Sequence, residues 1–298
     1  MLSFFGEYPS LLPYILGISG SPGVGKSSLL ETLGMYLVTE CNLKIAVLTV
    51  DPSSVATGGS LLGDITRMPD LSRHPNAYIR SSPTRGTLGG VTFGTREAII
   101  LCEGAGYDVV LIETVGVGQS EIAIADITDM FVLLLSPTQG DEVQGLKRGI
   151  MEMCDLLLVT KADGNLLAPA KQAQAEYVSA LKFMRSRWGR VWKPPVMRTS
   201  AHTNEGIAEA WAKIMEYRAI LADSGELLRL RQRQHSKWMW LSVEHQLPML
   251  FRLHPDIIRL SKDLESQLHS GSLTPSQAAE KLLRQFLRVS ARRSLSKV

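Results

Sequence analysis

One segment near the start of the chain, Gly20–Ser27, has the residue types and spacing to bind a chain of phosphates. It is a complete G-x-x-x-x-G-K-S motif. Its glycines allow successive backbone N–H groups to turn toward phosphate oxygens at a helix N-terminus. Lys26 is expected to reach the β- and γ-phosphates, and the Ser27 hydroxyl to bind Mg²⁺. The predicted nucleotide-binding residues are Gly20, Ser21, Pro22, Gly23, Val24, Gly25, Lys26, Ser27 and Ser28.

Carboxylates at the ends of two predicted strands could complete a metal site. Asp51 and Glu113 each follow an apolar run, and the carboxyl ends of parallel strands are where such sheets bind ligands. Asp64 lies in a flexible polar segment and could join the metal's water shell or cap a helix. The metal residues predicted here are Ser27, Asp51, Asp64 and Glu113.

A glycine-rich turn follows Glu113 and predicts elements that respond to a γ-phosphate. Gly116 could donate its N–H to that phosphate and allow a large backbone change after hydrolysis. Gln119 could orient the attacking water. We therefore expect Lys26, Asp64, Glu113 and Gln119 to be the catalytic residues.

The segment Thr160–Asp163 predicts recognition of the base. A carboxylate at Asp163 can accept both N1–H and N2–H₂ of guanine, a donor pair that adenine lacks, so GTP is favoured. The stem of Lys161 can lie against the ring. Further along, Ser200 and Ala201 could present a backbone N–H to the guanine carbonyl.

Short apolar runs alternate with helix-like stretches from residue 14 to 222, which predicts an α/β domain with a mostly parallel sheet flanked by helices. The predicted strands are 14–19, 44–50, 77–80, 107–113, 129–136, 154–160 and 195–199. Residues 28–38 are predicted to form the helix after the phosphate loop.

The pattern changes after residue 222, so we expect a domain at 1–222 and a helical arm at 223–298. Three helices are predicted, over 226–253, about 255–269, and from a capping box at Thr274–Gln277 to about Val289. Pro248 is expected to bend or end the first of them. Because the arm is hydrophobic, it must pack on the parent domain or on a second copy.

Composition narrows the function classes. The net charge is +3, with 14 Lys and Arg against 7 Asp and Glu in residues 218–298. These cations interleave with apolar residues at helical spacing, which favours a charged helix face over nucleic-acid binding. The three cysteines stand apart and predict buried thiols in a reducing compartment rather than disulfides. No apolar run is long enough to span a membrane, so no membrane partner is expected.

These motifs together resemble the SIMIBI-class P-loop GTPases, specifically the MeaB/ArgK branch and its mitochondrial members of the methylmalonic aciduria type A group. The resemblance covers nearly the whole chain, and Glu113–Glu121 carries it most specifically. It also includes Gly58–Met68, Gly86–Val91 and Gly140–Gly145, and the tail around Trp238–Trp240.

The resemblance implies a GTPase that uses GTP/GDP and Mg²⁺ and acts as a chaperone of an adenosylcobalamin-dependent methylmalonyl-CoA mutase or a related acyl-CoA mutase. The nucleotide state would gate loading, protection and reactivation of the mutase. The resemblance further implies that the helical arm forms a homodimer and that residues 140–149 form a switch responding to the mutase. It implies the mitochondrial matrix for a eukaryotic protein and the cytoplasm otherwise.

Three positions depart from the family pattern. Thr160 stands where most GTPases have Asn, and we expect its hydroxyl to make a weaker contact with the base and the loop. Ile65 replaces a Lys, and Asn165 replaces an Asp. Two alternatives stay open: a metallochaperone GTPase, against which the isolated cysteines argue, and a P-loop kinase acting on a small acceptor.

Overall fold

A computed structural model describes residues 13–51, 66–83, 88–114, 123–138 and 148–295. By compactness the chain consists of two units, Met1–Lys237 and Trp238–Val298. The boundary predicted at residue 222 stays a prediction.

Within the described residues of the first unit, seven parallel strands form one sheet in the order β3-β2-β4-β1-β5-β6-β7. The strands are β1 (Tyr14–Gly20), β2 (Ile45–Asp51), β3 (Ala77–Pro83), β4 (Val109–Glu113), β5 (Met130–Leu135), β6 (Leu156–Val159) and β7 (Val196–Arg198). The prediction of an α/β fold with a mostly parallel sheet is confirmed, and each strand corresponds to one predicted apolar run.

Helices lie between strands along the chain, and the last helix of this unit's α/β part follows β7. They are α1 (Lys26–Thr39), α2 (Leu88–Gly104), α3 (Arg148–Met153), α4 (Leu167–Leu181) and α5 (Ile207–Asp223). Single 3₁₀ turns occur at Leu71–Arg73 and Gly164–Leu166. Helix α6 (Glu226–Leu253) begins in the first unit and continues into the second.

Apolar residues cover both faces of the sheet, as the continuous hydrophobic runs predict. In β5, Val132 and Leu134 belong to a core with α1, α5 and the start of α6. The intervening Phe131 and Leu133 belong to a second core with α3 and α4. Because successive residues of a strand point to opposite faces, one run of six buried residues serves both cores.

A buried ion pair holds the start of α6 against the amino-terminal ends of β1 and β5. Arg231 donates to both carboxylate oxygens of Asp129, at 2.9 and 2.6 Å, and to the carbonyl of Pro13 at 2.7 Å. Glu103 lies 3.6 Å from the same guanidinium. Asp129 is fully buried and precedes β5. Arg231 is therefore part of the fold's interior rather than of the charged helix face that the sequence predicts.

The second unit contains the rest of α6, together with α7 (Pro255–His269) and α8 (Pro275–Leu295). The predicted capping box is present, since the Thr274 amide donates to Gln277 Oε1 at 3.1 Å and the Gln277 amide donates back to the Thr274 hydroxyl at 3.4 Å. Pro248 does not end α6, which continues to Leu253. Helix α8 extends beyond the predicted end at Val289.

The cysteines are free thiols, as predicted. Cys102 and Cys154 are buried, but Cys41 is only partly buried, so the prediction of burial is wrong for that residue. Cys41 follows the end of α1, where the chain turns at the surface toward β2.

Candidate nucleotide-binding site

The predicted phosphate loop connects β1 directly to α1, the context that the motif requires. Gly25 is the N-cap of α1 and has a φ of 102°, in the left-handed region that favours glycine. A Cβ on Gly20 would lie 2.7 Å from the carbonyl oxygen of Leu134 on β5. The glycines at these two positions are therefore required by the backbone path and by the neighbouring strand.

Lys26 folds back over its own loop. Its ammonium donates to the carbonyls of Gly20 at 2.7 Å and Ser21 at 3.0 Å. Because it is the first residue of α1, its charge lies where the helix has unpaired N–H groups and a positive dipole end. The ammonium and the helix terminus together create a region of positive potential that would attract a polyanion.

A hydroxyl and a carboxylate meet beside this loop. Ser27 Oγ donates to Glu113 Oε1 at 3.0 Å, and Glu113 is buried although it carries a charge-bearing group. The next residue, Thr114, donates its hydroxyl to Ser19 Oγ at 2.7 Å, which links the ends of β4 and β1. Hydroxyl and carboxylate oxygens are hard donors that suit Mg²⁺, so the donor set fits the predicted metal.

Two other predicted metal ligands, Asp51 and Asp64, lie partly or wholly outside the described residues. Thr49 of β2 is in register with Glu113 of β4, and the backbone of Asp51 ends β2 two residues later. The Asp51 side chain lies outside the described structure, as do the whole residues Asp64, Gly116 and Gln119. Their predicted roles stay predictions.

The segment after β6 is tied to the phosphate loop. The Thr160 hydroxyl lies 2.6 Å from the Val24 carbonyl oxygen and 3.2 Å from that of Leu135. Lys161, with a φ of 54°, donates its ammonium to the Gly23 carbonyl at 2.7 Å. The two side chains fix the position of the Thr160–Asp163 segment relative to the loop.

The carboxylate predicted to recognise the base is held by the segment after β7. Asp163 accepts a hydrogen bond from the Ser200 hydroxyl. The same hydroxyl accepts the backbone N–H of Thr203 at 3.1 Å and that of His202 at 3.2 Å. These hydrogen bonds orient the Asp163 carboxylate, so the role of Ser200 is to position it.

These segments enclose a cavity of about 320 Å³ at the carboxyl end of the sheet. It is lined by Val24, Gly25, Ser28, Leu29, Thr160, Lys161, Asp163, Thr199, Ala201 and His202. The volume falls at the lower end of the range typical of small-molecule sites, about 300–1,000 Å³. Six predicted nucleotide-binding residues line it, and a seventh, Ser200, holds one of them.

Two polar residues of this cavity, Thr199 and His202, are not among the predicted binding residues. The Thr199 hydroxyl is buried and has no hydrogen-bond partner among the described residues, so a polar ligand would satisfy it. His202 also lines the cavity. The signal that could have identified both is their adjacency to Ser200 and Ala201.

The described part of the chain contains no helix with enough length and apolar character to cross a membrane.

Comparison with known proteins places the chain among nucleotide-binding relatives. Residues 13–255 match the family model described as "Methylmalonyl Co-A mutase-associated GTPase MeaB". A Caenorhabditis elegans protein named "Methylmalonic aciduria type A homolog, mitochondrial" is 57% identical over 274 residues, which cover 92% of this chain and 68% of the relative. The Mus musculus protein of the same name is 55% identical over 275 residues, covering 92% and 66%. The chain thus spans about two thirds of the length of these animal relatives.

A bacterial relative and a solved structure extend the comparison. The protein named GTPase ArgK of Escherichia coli is 41% identical over 278 residues, covering 92% of this chain and 83% of the relative. A crystal structure described as LAO/AO transport system kinase superposes with a TM-score of 0.67 at 35% identity, covering 93% of this chain and 82% of that one.

Proposed function

The chain belongs to the MeaB family of methylmalonyl-CoA mutase-associated GTPases, and from this we propose that it binds and hydrolyses GTP to gate adenosylcobalamin loading, protection and reactivation of methylmalonyl-CoA mutase or a related acyl-CoA mutase. The observation that carries the GTPase part is the cavity lined by Val24, Lys161 and Asp163 next to the Ser27–Glu113 pair. A base and a metal-bound phosphate chain would bind at the same end of the sheet.

Recognition of guanine is assigned to the cavity. Asp163 would accept the paired N–H donors of guanine, and Ser200 would keep its carboxylate in place. The Lys161 stem would cover one face of the ring while its ammonium stays on the Gly23 carbonyl. An adenine base would leave the Asp163 carboxylate without its two donors. Because this carboxylate is partly buried, binding free energy would be lost through its desolvation as well as through the missing hydrogen bonds.

Binding of the phosphates is assigned to the loop and the first turn of α1. The backbone N–H groups of the loop and the Lys26 ammonium would bind the oxygens of the triphosphate. Mg²⁺, when bound, neutralises phosphate charge and polarises the γ-phosphate. Ser27 and Glu113 would hold it directly or through water, together with Asp51 and Asp64, and Gln119 would orient the attacking water.

The base assignment is tested by isothermal titration of GTP and ATP into the wild-type protein and the Asp163→Asn variant. We expect GTP to bind more tightly than ATP, and the substitution to weaken GTP by at least about tenfold because one acceptor becomes a donor. Xanthosine triphosphate, which offers a carbonyl at position 2, should gain affinity for the variant. Equal affinities of the wild type for GTP and ATP would contradict the assignment.

The chaperone role is tested with purified methylmalonyl-CoA mutase. We expect mutase to be retained by the immobilised protein with a non-hydrolysable GTP analogue, and retention to change when GDP replaces the analogue. The Lys26→Ala variant, which should lose most nucleotide affinity, is the control. Association that is absent, or the same in all nucleotide states, would sink the chaperone proposal and leave the GTPase proposal standing.

We further propose that the second unit forms a homodimer. Its part of α6 exposes large apolar side chains, which a monomer would leave in water. They are Met239, Trp240, Val243, Leu247, Met249, Leu250 and Leu253. Light scattering should give a dimer mass for the wild type and a monomer mass for Trp240→Glu/Leu250→Glu. Gln246→Glu, at an exposed polar position on the same helix, should remain dimeric.

Localisation in the mitochondrial matrix is proposed from the names of the animal relatives. Fractionation of native cells with an antibody against the protein would test it.

The kinase alternative has a specific source, because a similar solved structure is described as a transport system kinase. Labelled γ-phosphate recovered on an acceptor other than water would favour that alternative over hydrolysis. Stoichiometric nickel or zinc in the purified protein would favour the metallochaperone.

A further inference from the structure

A second cavity, of about 680 Å³, lies away from the nucleotide site in the first unit. Its lining includes Met151 and Glu152 of α3, residues of the last turns of α4, several residues of the segment 182–195, and Val196, the first residue of β7. Because β7 is parallel to its neighbour β6, its first residue lies at the amino-terminal ends of the strands. The nucleotide cavity lies at their carboxyl ends. The two cavities are therefore distinct.

The lining combines an apolar floor with a basic rim. The apolar side chains come from three elements, as Met151 belongs to α3, Leu181 to α4 and Met184 to the segment that follows. The rim carries three cations, Lys182, Arg185 and Lys193, against one carboxylate, Glu152. An occupant with apolar groups and negative charge would satisfy both parts of this lining.

The segment that supplies these cations, 182–193, is named here the basic loop. It contains five Lys and Arg residues and no acidic residue. Its shape is fixed from inside, because Trp188 Nε1 donates to Asp155 Oδ1 at 2.7 Å and Trp192 Nε1 donates to the Asp155 carbonyl at 2.7 Å. Ser186 Oγ also donates to the Trp192 carbonyl at 2.6 Å. These hydrogen bonds give the basic loop a defined conformation.

The fold itself uses one of the five cations of the basic loop. Arg187 lies 3.7 Å from the buried Asp155 carboxylate. The others, Lys182, Arg185, Arg190 and Lys193, are exposed and form no ion pair with the described residues. Lys182 directly follows α4, where it can interact with the negative end of the helix dipole. The remaining three have no such role in folding, and like charges gathered on one loop repel each other unless an anion binds there.

Apolar surface continues outside the cavity. The Phe183 side chain is 91% exposed and Val191 is also exposed, and neither residue lines the cavity. This extends the apolar area beyond what a ligand confined to the cavity would cover. Both tryptophans of the basic loop are buried, which removes them as stacking surfaces for nucleotide bases. The combination matches an acidic amphipathic polypeptide better than a nucleic acid.

We propose that the 680 Å³ cavity and the basic loop form a docking site for an acidic amphipathic segment of a partner protein. Its apolar side chains enter the cavity and cover Phe183, while its carboxylates pair with Arg185, Arg190 and Lys193. This site goes beyond the proposed GTPase activity and does not depend on it, because no residue of the nucleotide cavity lines it.

The test uses fluorescein-labelled synthetic peptides of about 18 residues, in which Glu and Leu or Phe alternate at helical spacing. A small set with different spacings is measured by anisotropy, alongside peptides in which Lys replaces Glu. An RNA of similar charge and vesicles containing anionic phospholipid are measured in parallel. The wild-type protein should bind acidic peptides, with affinity that falls as salt increases.

Variants then locate the site. Arg185→Glu/Lys193→Glu should weaken peptide binding by at least about tenfold, since two attractive contacts become repulsive. The control is Lys171→Glu/Arg233→Glu, which changes net charge equally at exposed positions outside the cavity and should bind as the wild type does. Phe183→Ser should weaken binding without altering salt dependence. Titration of GTP into every variant should give unchanged affinity, which verifies folding and separates this test from that of the proposed function.

Three results would overturn the proposal. They are absence of binding by every acidic peptide, equal losses in the test and control variants, and tighter binding of RNA or vesicles that the Arg185→Glu/Lys193→Glu variant abolishes. The last result would reassign the basic loop to nucleic acid or to a lipid surface.

Discussion

The hydroxyl of Ser27 donates a 3.0 Å hydrogen bond to Oε1 of Glu113, which joins residues 86 positions apart in the chain. The contact exists because β4 lies next to β1, so the strand that ends in Glu113 finishes beside the loop that begins after Gly20. A hydroxyl and a buried carboxylate in this position can hold a cation bound to the phosphates. The pair is thus the point where the sheet order produces a candidate catalytic centre.

Replacement of Glu113 should separate nucleotide binding from turnover. The Glu113→Gln variant keeps an oxygen that can accept the Ser27 hydroxyl, so the local structure should persist while the negative charge is lost. We expect GTP affinity to change little and the hydrolysis rate to fall by about 10- to 100-fold, the range for lost groups that hold or orient a metal. Single-turnover hydrolysis at a series of Mg²⁺ concentrations measures this.

The matched control for Glu113→Gln is Asp223→Asn, which removes an exposed carboxylate at the end of α5. It should hydrolyse GTP at the wild-type rate. Unaltered turnover in Glu113→Gln would remove Glu113 from the proposed mechanism.

The Thr160 hydroxyl should contribute to nucleotide affinity through the loop rather than through the base. Its short contact is with the Val24 carbonyl, at 2.6 Å. Thr160→Val keeps the shape but removes that bond, which is worth about 0.5–1.5 kcal/mol, so GTP should bind about 2- to 12-fold more weakly. ATP and GTP should be weakened by similar factors in isothermal titration.

Thr160→Ser retains a hydroxyl and is expected to restore most of the affinity. A loss confined to GTP in the Thr160→Val variant would instead indicate that this residue recognises the base.

Much of the sheet and the loop was accessible from the sequence because the signals are local. Apolar runs predict buried strands, and the glycine spacing of the phosphate loop is required by backbone conformations at positions such as Gly25. The grouping of Asp163 with Ser200 also followed from the rule that parallel strands bring their carboxyl ends to one edge. These inferences needed only the direction of the strands.

What the sequence did not reveal depends on contacts between distant segments. Arg231 looks like one more cation of a basic helix, and its buried partner Asp129 lies 102 positions earlier. Likewise, nothing in the local sequence indicates that the indole N–H groups of Trp188 and Trp192 fix the basic loop onto Asp155 and its backbone. Strand order and side-chain pairing at such range follow from packing, which local periodicity does not encode.

The buried carboxylate of Asp155 should make stability depend on pH. Burial raises its pKa from 3.8 to about 6, although Arg187 and the hydrogen bonds from Phe131 N–H, Trp188 and Tyr217 act to lower it. Because the folded-state pKa is the higher one, the folded protein gains stability from protonation. That contribution is fully present below about pH 4 and is lost as the pH rises through about 6.

The size of the effect is about 3 kcal/mol for a shift of this extent. Chemical denaturation at a series of pH values should therefore show that the free energy of unfolding of Asp155→Asn rises relative to the wild type between about pH 4 and 6.5. The measurement is the change with pH and not the absolute stability of Asp155→Asn. The amide has a single oxygen, so it cannot accept hydrogen bonds from both Phe131 N–H and Trp188 Nε1 as the two carboxylate oxygens do. Asp223→Asn should show the wild-type slope, and a parallel profile for Asp155→Asn would contradict the prediction.

Two arginines on the same helix should differ sharply in their contribution to stability. Arg231 is mostly buried and pairs with the fully buried Asp129, whereas Arg229 is exposed and pairs with Glu226 at 2.5 Å. Arg231→Met would remove both guanidinium hydrogen bonds to the buried Asp129 carboxylate and leave it the hydrogen bond from the Ile15 amide, 2.9 Å away. Loss of one partner of a buried pair costs about 3–5 kcal/mol, but loss of an exposed pair costs about 0–1 kcal/mol.

Urea denaturation followed by tryptophan fluorescence measures both variants, since Trp188 and Trp192 are buried in the same unit as the ion pair. Arg231→Met should lower the midpoint strongly, and Arg229→Met should stay near the wild type. The double variant Arg231→Met/Asp129→Asn should recover part of the loss, because it removes the unpaired charge along with its partner. If Arg231→Met and Arg229→Met unfold at the same urea concentration, α6 is not held to the sheet through Asp129.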